Sequence, residues 1–479
     1  MEQAKKLKSY LPASSTENVE SLTRWNDEIE DVLFGPMDAQ LEDLPTTSFD
    51  AADIDALTAI SQALRKDLIE SILSLSEPDD DSIQCILASS DTAIFLQERV
   101  ALLLRTLRNW LRWYLQVSPL LAQSNPSQPS FIRVFQQQSM LDLWLHILEQ
   151  LAPSAPLPAR HVAQIFFYST FDTNEDTQEY LVSQLDEKRF LRILLTTNSW
   201  GVGAAVQQCI HQWVATAQSA GRRVKEARLP SLADRHAQCP WLPKNTTEVS
   251  YMDVWDRVLA VCFLEGDGPP LSGEYRAEMV GEILRSLYAL TLWTTVTRQI
   301  VPVLLNLPRK NDGIVQCQQA LMALLTEGDA SLTPSLMECL PTLLHLWEDQ
   351  LTQVVTAQRV DEAAAATLTP YFVTLYRYCV MDEAFCEAIR HAVFPNELPA
   401  DMSTSQPMHP IDAPQGTLRA KVIKLLTWPQ SHIKRLAGEL VWRLCHNHPT
   451  EFARRVGMGN ALPFLAAKGH AQLPPSVFK

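Results

Sequence analysis

Apolar residues recur along most of this chain at spacings of three and four, the period of an amphipathic helix rather than the alternation of a half-buried strand. The clearest stretch lies near the end. In GTLRAKVIKLLTWPQSHIKRLAGELVWRLC, Leu418, Val422, Leu425 and Leu426 make one stripe, and Ile433, Leu436, Leu440, Val441 and Leu444 make a second. Trp428-Pro429 separates them, because proline disfavours a helical conformation in the residue before it. Two short helices with facing apolar stripes cannot bury them alone, so they are expected to form one layer of a stack.

The same period predicts helices over Ile54–Leu75, Ala93–Val117, Phe131–Leu151, Val162–Phe171, Thr177–Leu195 and Ala204–Ala220. It resumes over Met252–Phe263, Gly273–Thr291, Thr297–Leu305, Ile314–Leu325, Thr333–Ala357, Ala363–Val380 and Glu383–Val393. Thr333-Pro334 reads as a helix start, with threonine as cap and proline in the first turn. Two long interruptions, at 226–250 and 395–415, carry proline and few periodic apolar residues. Helix pairs recur roughly every 40 residues, the length of an armadillo or HEAT repeat. The expected fold is all-α: an armadillo/HEAT-like, right-handed superhelical solenoid over 53–470. A polar, acidic segment at 1–52 precedes it, and a short tail at 471–479 follows.

Composition narrows the picture. Thirty prolines against fifteen glycines suit many short helices, whereas β-rich folds spend more glycine on turns. At 46% hydrophobic the chain can bury a large core. No run of eighteen apolar residues appears, so no transmembrane segment is expected; the start, MEQAKKLKSYLPASS, has no apolar core of a secretory signal. A formal net charge of −15 argues against nucleic acid as a partner. The nine cysteines include no C-x-x-C pair and mostly lie in apolar helical runs, as in a reducing, cytoplasmic setting.

Catalytic and cofactor signals are weak. Cys445, His446 and His448 could ligate zinc, but no second cluster accompanies them, and a helix end before Pro449 explains them better. Gly201-Val202-Gly203 lacks the strand and full motif of a phosphate cradle and reads as a turn between helices. There is no P-loop and no G-x-S-x-G elbow, so no cofactor is expected and an enzymatic cleft is the least favoured class. Asp382-Glu383 reads as a helix cap with first-turn charge.

Binding signals are stronger. Arg105, Arg108 and Arg112, with Trp113 beside them, lie in one helical stretch, and Arg108 and Arg112 share a face. Such a cluster in an acidic protein fits a partner's carboxylate, because arginine contacts it bidentately. A solvated face with stems covering apolar neighbours is the alternative. Arg65, Lys421, Lys424 and Arg435 are weaker candidates on the same logic. In Tyr371, Phe372, Leu375, Tyr376 and Tyr378 most rings should be core, and any that faces a groove could anchor a partner's amphipathic helix.

Lys434-Arg435, Glu439-Leu440, Leu444-Cys445, Gly457-Met458-Gly459-Asn460-Ala461 and Leu465-Ala466-Ala467-Lys468-Gly469 follow an order that resembles the last repeats of the synembryn family. Phe372-Val373-Thr374-Leu375, Phe385-Cys386-Glu387-Ala388, Glu282-Ile283-Leu284-Arg285-Ser286-Leu287-Tyr288 and Asn306-Leu307-Pro308-Arg309-Lys310 resemble further family segments. The resemblance is to "resistance to inhibitors of cholinesterase" proteins, armadillo-like chaperones and guanine-nucleotide exchange factors for heterotrimeric G-protein α subunits. It implies a cytoplasmic monomer, recruited to the cell cortex, that makes or breaks no bond itself. Its groove would take the Gα C-terminal helix and so promote GDP release, with Arg105, Arg108 and Arg112 receiving the carboxylate. Ala289 departs from the asparagine common in the family after the aromatic. Members commonly continue past the point matching Lys479 into an acidic, phosphorylatable segment and further helices, whose absence is expected to affect exchange more than partner binding. The alternative of the same fold is a generic armadillo/HEAT scaffold for another helical peptide.

Overall fold

In a computed structural model the described residues run from 136 to 470, except 137, 172–174, 187, 231–238, 242–246, 266–267, 357–361 and 396–415, with a few helical positions between 104 and 115. The described residues are almost wholly helical, with eighteen α-helices among them. The first eight are α1 (Gln138–Leu151), α2 (Pro156–Ser169), α3 (Glu175–Asp186), α4 (Arg189–Thr196), α5 (Trp200–Thr216), α6 (Gln218–Glu226), α7 (Tyr251–Phe263) and α8 (Arg276–Ala289). The other ten are α9 (Thr295–Leu305), α10 (Asp312–Leu325), α11 (Thr333–Glu338), α12 (Leu340–Thr356), α13 (Glu362–Met381), α14 (Glu383–Val393), α15 (Leu418–Leu425), α16 (Ser431–Leu444), α17 (Pro449–Val456) and α18 (Met458–Ala467). The strand content among described residues is one two-residue antiparallel pairing, Leu229 with Val249 and Pro230 with Glu248.

Contacts divide the chain into two compact units, 1–262 with 272–290, and 263–271 with 291–479. In the first, α5 lies between α2 and α8. In the second, α13 lies between α10 and α16. Each row therefore advances by three helices per layer, the armadillo arrangement, where the sequence period had suggested helix pairs. The first core is built on Phe166, Phe190 and Trp213, whose ring centroids lie 4.7–5.9 Å apart. The second has Trp347 edge-on to Phe372 at 5.6 Å, and Trp442, Phe452 and Phe464 close its last layer. Full burial of each such side chain contributes about 1.5–3 kcal/mol.

Local chemistry sets the helix ends. Asp382 caps α14 by accepting from the Phe385 amide at 2.8 Å, and Glu383 supplies first-turn negative charge, as its sequence suggested. Thr294 and Thr297 form a capping box on α9. Between α17 and α18, Gly457 adopts φ 82°, and Asn460 Nδ2 donates to the Val456 carbonyl at 2.8 Å. The Gly-Met-Gly-Asn-Ala element is thus a helix-to-helix joint whose first residue needs glycine's backbone freedom.

Four expectations change. Gly201-Val202-Gly203 is the first turn of α5, capped by Ser199, and not a turn between helices. The stretch Thr177–Leu195 breaks into α3 and α4 at Lys188, whose φ is 59°. Ala204–Ala220 is likewise two helices, parted at the extended Ala217. Thr333 is the first residue of α11 rather than its cap, because a 3-10 turn at Ala330–Leu332, capped by Asp329, leads straight into it.

Candidate partner-binding face

The helices α10, α13 and α16 run parallel, as their ties show. Thr374 Oγ1 donates to the Met322 carbonyl at 3.4 Å, and Arg377 Nε to the Gly328 carbonyl at 2.8 Å. On the other side, Thr369 Oγ1 meets His432 Nε2 at 3.2 Å, and Arg443 Nε donates to the Cys379 carbonyl at 3.0 Å. His432, Leu436, Glu439 and Arg443 share one face of α16, and Thr369, Val373, Tyr376 and Val380 share one face of α13. The ties at both ends set these stripes side by side.

The two sides of α13 differ in kind. Leu368, Tyr371, Phe372, Leu375, Tyr378 and Cys379 are buried. Tyr376, Val380 and Met381 are 38%, 55% and 39% exposed. Aromatic and aliphatic surface left open in this way is the common mark of a binding position when it clusters. Two cations lie on the same helix row. Arg377 uses its Nε on Gly328 and has no carboxylate partner among the described residues. Arg435 is exposed on α16 and also has none. The neighbouring charges are already satisfied: Arg443 holds Glu383 at 2.6 Å, and Lys468 holds Glu439 at 2.7 Å. An apolar strip on a row that also carries these arginines suits an amphipathic helix that ends in a carboxylate.

The candidates named from sequence do not gather in one place. Arg65 and Trp113 lie outside the described residues. Arg105 is half-buried. Arg108 is 7% exposed; its Nε donates to Asn109 Oδ1 at 2.9 Å, and its Nη1 lies 3.3 Å from His161 Nδ1 and 3.4 Å from Gln164 Oε1. Arg112 bonds the Tyr168 hydroxyl, whose pKa burial raises against the opposing charge of Arg112 and Arg108. These arginines belong to the first unit and make polar joints within it. In the second unit, Lys421 is paired with Glu348 at 2.8 Å, and Lys424 sits 5.9 Å from the Trp428 ring centroid. Of the basic residues named, Arg435 alone lies on the α10–α13–α16 row. The sequence reading named Tyr376 with the core aromatics and passed over Arg377. The available signal was register, since Tyr376 falls off the 368–371–375–378 stripe.

A metal fits poorly. Glu383, Glu387 and His446 bring ligand atoms within 4.8 Å of one another. Arg443 and Arg390 already neutralise the two carboxylates. Burial pushes Glu387 up, but Arg390, His446 and His391 together hold it below the usual carboxylate value. Cys445 is wholly buried and ends α16.

Residues 252–476 match the family of the guanine nucleotide exchange factor synembryn. The matched region takes in α8 and the whole α10–α13–α16 row, with Tyr376, Arg377 and Arg435, and leaves Arg108 and Arg112 outside. No match was found among curated proteins. Among solved structures, one from work on a phosphorylation switch controlling the interaction between cadherin and beta-catenin is similar at a TM-score of 0.32. Its sequence identity is 13%, over 99% of this chain and 93% of that chain. Among the described residues no helix is long and apolar enough to cross a membrane.

Proposed function

We propose that this chain binds the C-terminal helix of a heterotrimeric G-protein α subunit on the α10–α13–α16 face, acting as chaperone and exchange factor. The match of residues 252–476 to an exchange-factor family supports guanine-nucleotide exchange as the class of activity. The observation that carries the binding face is the open strip of Tyr376, Val380 and Met381, on the row that also holds Arg377 and Arg435 and within the matched region. The apolar side of the partner helix packs on the strip, and its terminal carboxylate meets a guanidinium.

Exchange then needs no chemistry from this chain. A binder that prefers the nucleotide-free α subunit lowers GDP affinity by the factor by which GDP lowers its own. Fluorescence anisotropy of a labelled Gα C-terminal peptide tests the binding step. Saturable binding that weakens when the peptide's carboxylate is amidated is expected. Binding equal to that of a scrambled peptide would leave a scaffold for some other segment.

A further inference from the structure

Cys379 and Cys386 meet across the corner where α13 passes into α14. One residue, Asp382, makes that corner: its amide donates to the Tyr378 carbonyl at 2.9 Å, and its carbonyl accepts from the Cys386 amide at 3.1 Å. The turns on either side therefore face each other. Tyr378 and Phe385, each just before a cysteine, have ring centroids 6.0 Å apart. The two thiols hydrogen-bond each other. Both cysteines are buried, yet the corner itself is open, since Val380, Met381 and Glu383 are exposed.

The thiols are not equivalent. The hydrogen bond from Cys379 lowers the Cys386 pKa; burial opposes it and the Arg443 guanidinium adds to it. Arg443 is held there by donating Nε to the Cys379 carbonyl at 3.0 Å. A place near the N-terminus of α14 favours a thiolate in the same sense. The same hydrogen bond, and then burial, push Cys379 up. Elsewhere burial raises Cys239 to about 11 and Cys262 to about 12.

We propose that Cys379 and Cys386 are a peroxide-oxidisable pair that closes to a disulfide across the α13–α14 corner. The Cys386 thiolate attacks hydrogen peroxide; the O–O bond breaks, and hydroxide leaves as water with a solvent proton. The Cys379 sulfur then attacks the sulfenic acid; the S–O bond breaks, and hydroxide leaves as water with the Cys379 proton. Two thiols are oxidised and one peroxide is reduced to two waters. Hydrogen peroxide is little larger than water, and fraying of helix ends at the open corner admits it. Closing the bond draws the sulfurs together and moves the last turn of α13, where Val380 and Met381 stand. It thereby weakens the partner face, a consequence that rests on the function proposed above.

Mass spectrometry of the full chain, treated with peroxide and then denatured and digested, tests this. Both cysteines fall in one tryptic peptide, 378–390. That peptide should lose two hydrogens and regain them with dithiothreitol, while the Cys239 and Cys262 peptides stay unchanged. In Cys379→Ser the Cys386 sulfenic acid should persist and be trapped by dimedone after denaturation; in Cys386→Ser, Cys379 should stay reduced. The labelled Gα peptide should bind the oxidised chain at least about threefold more weakly, and Cys386→Ser equally before and after peroxide. A 378–390 peptide that keeps its hydrogens, or Cys239 and Cys262 oxidised as fast, overturns the pair. A bond that forms with unchanged peptide binding overturns its effect on the partner face. A reduced chain that binds no peptide contradicts the proposed function instead, and the mass readout still decides the pair.

Discussion

Arg160 reaches Glu278 at 3.0 Å by passing over Gly201, so that a residue of α2 is tied to one of α8 across the first turn of α5. On the way its Nη1 donates to the Gly201 carbonyl at 3.0 Å, and its guanidinium lies 3.8 Å from the Tyr275 ring centroid. Only glycine leaves room: a Cβ at 201 would stand 2.9 Å from Tyr275 Cδ2 and 3.3 Å from Arg160 Cδ. Gly201→Ala is therefore expected to destabilise by about 1–3 kcal/mol, the range for overpacking. Urea unfolding checks it, and an unchanged midpoint would show that the tie over α5 is not tight.

The same reasoning gives opposite signs at two glycines of the second unit. At Gly438 a Cβ would meet the Phe464 ring at 2.5 Å, so Gly438→Ala should also lower stability by about 1–3 kcal/mol. At Gly459, inside α18, nothing lies within 4 Å. Gly459→Ala should raise stability by about 0.5–1 kcal/mol, the helix-propensity gain. Thermal melts of the two variants should move in opposite directions.

Gln207 is fully buried and joins two neighbours: its Nε2 donates to Ser286 Oγ at 2.9 Å, and its Oε1 accepts from Trp255 Nε1 at 2.7 Å. Gln207→Leu keeps much of the volume and strands the indole N–H, at a cost of about 1–3 kcal/mol. Arg108→Glu should be harsher. The arginine sits among Asn109, His161 and Gln164 at 7% exposure, and a reversed charge there should cost on the order of 3 kcal/mol. The sequence alone offered Arg108 as a partner's anion site or part of a solvated face. Its burial turns that expectation around, and circular-dichroism melts decide it.

Alkaline pH should weaken the fold. Burial pushes the Cys262 thiol up to about 12 against the charge of Arg276, and raises Cys339 to about 11, from an ordinary 9.0. The folded state favours the neutral thiol, so this contribution is complete below pH 9 and is lost as pH rises towards 11–12. Each thiol removes at most about 1.4 kcal/mol per pH unit in that window. The stability gap between the natural sequence and Cys262→Ala should narrow from pH 8 to pH 10.5; a constant gap contradicts it.

Much of the fold was legible because its signals are local. The α14 cap at Asp382 and the separation of α15 from α16 follow from residue types within a few positions of each other. The break at Lys188 was not legible, since a lysine at positive φ carries no turn signature and tertiary packing imposes it. The row that advances by three helices was hidden for a related reason: it depends on which helices touch. Site reasoning met the same limit. Arg108 and Arg377 look alike as helical arginines, and only contacts separate the one that joins α2 from the one at the rim of an open strip. Gly201-Val202-Gly203 misled because paired glycines signal turns, whereas here they admit Tyr275, Arg160 and Met279 against a helix.

The binding face and the fold should separate under mutation. Tyr376→Ala and Val380→Ser remove exposed surface, so stability should stay within about 0.5 kcal/mol. The most direct measurement is the rate of GDP release from a purified Gα subunit with and without the full chain. Faster release is expected, falling at least about fivefold towards the unassisted rate in the Tyr376→Ala, Val380→Ser double variant, in keeping with the loss of a central aromatic anchor. Release that the chain leaves unchanged, or accelerates equally in the double variant, would contradict the assignment of exchange to this face.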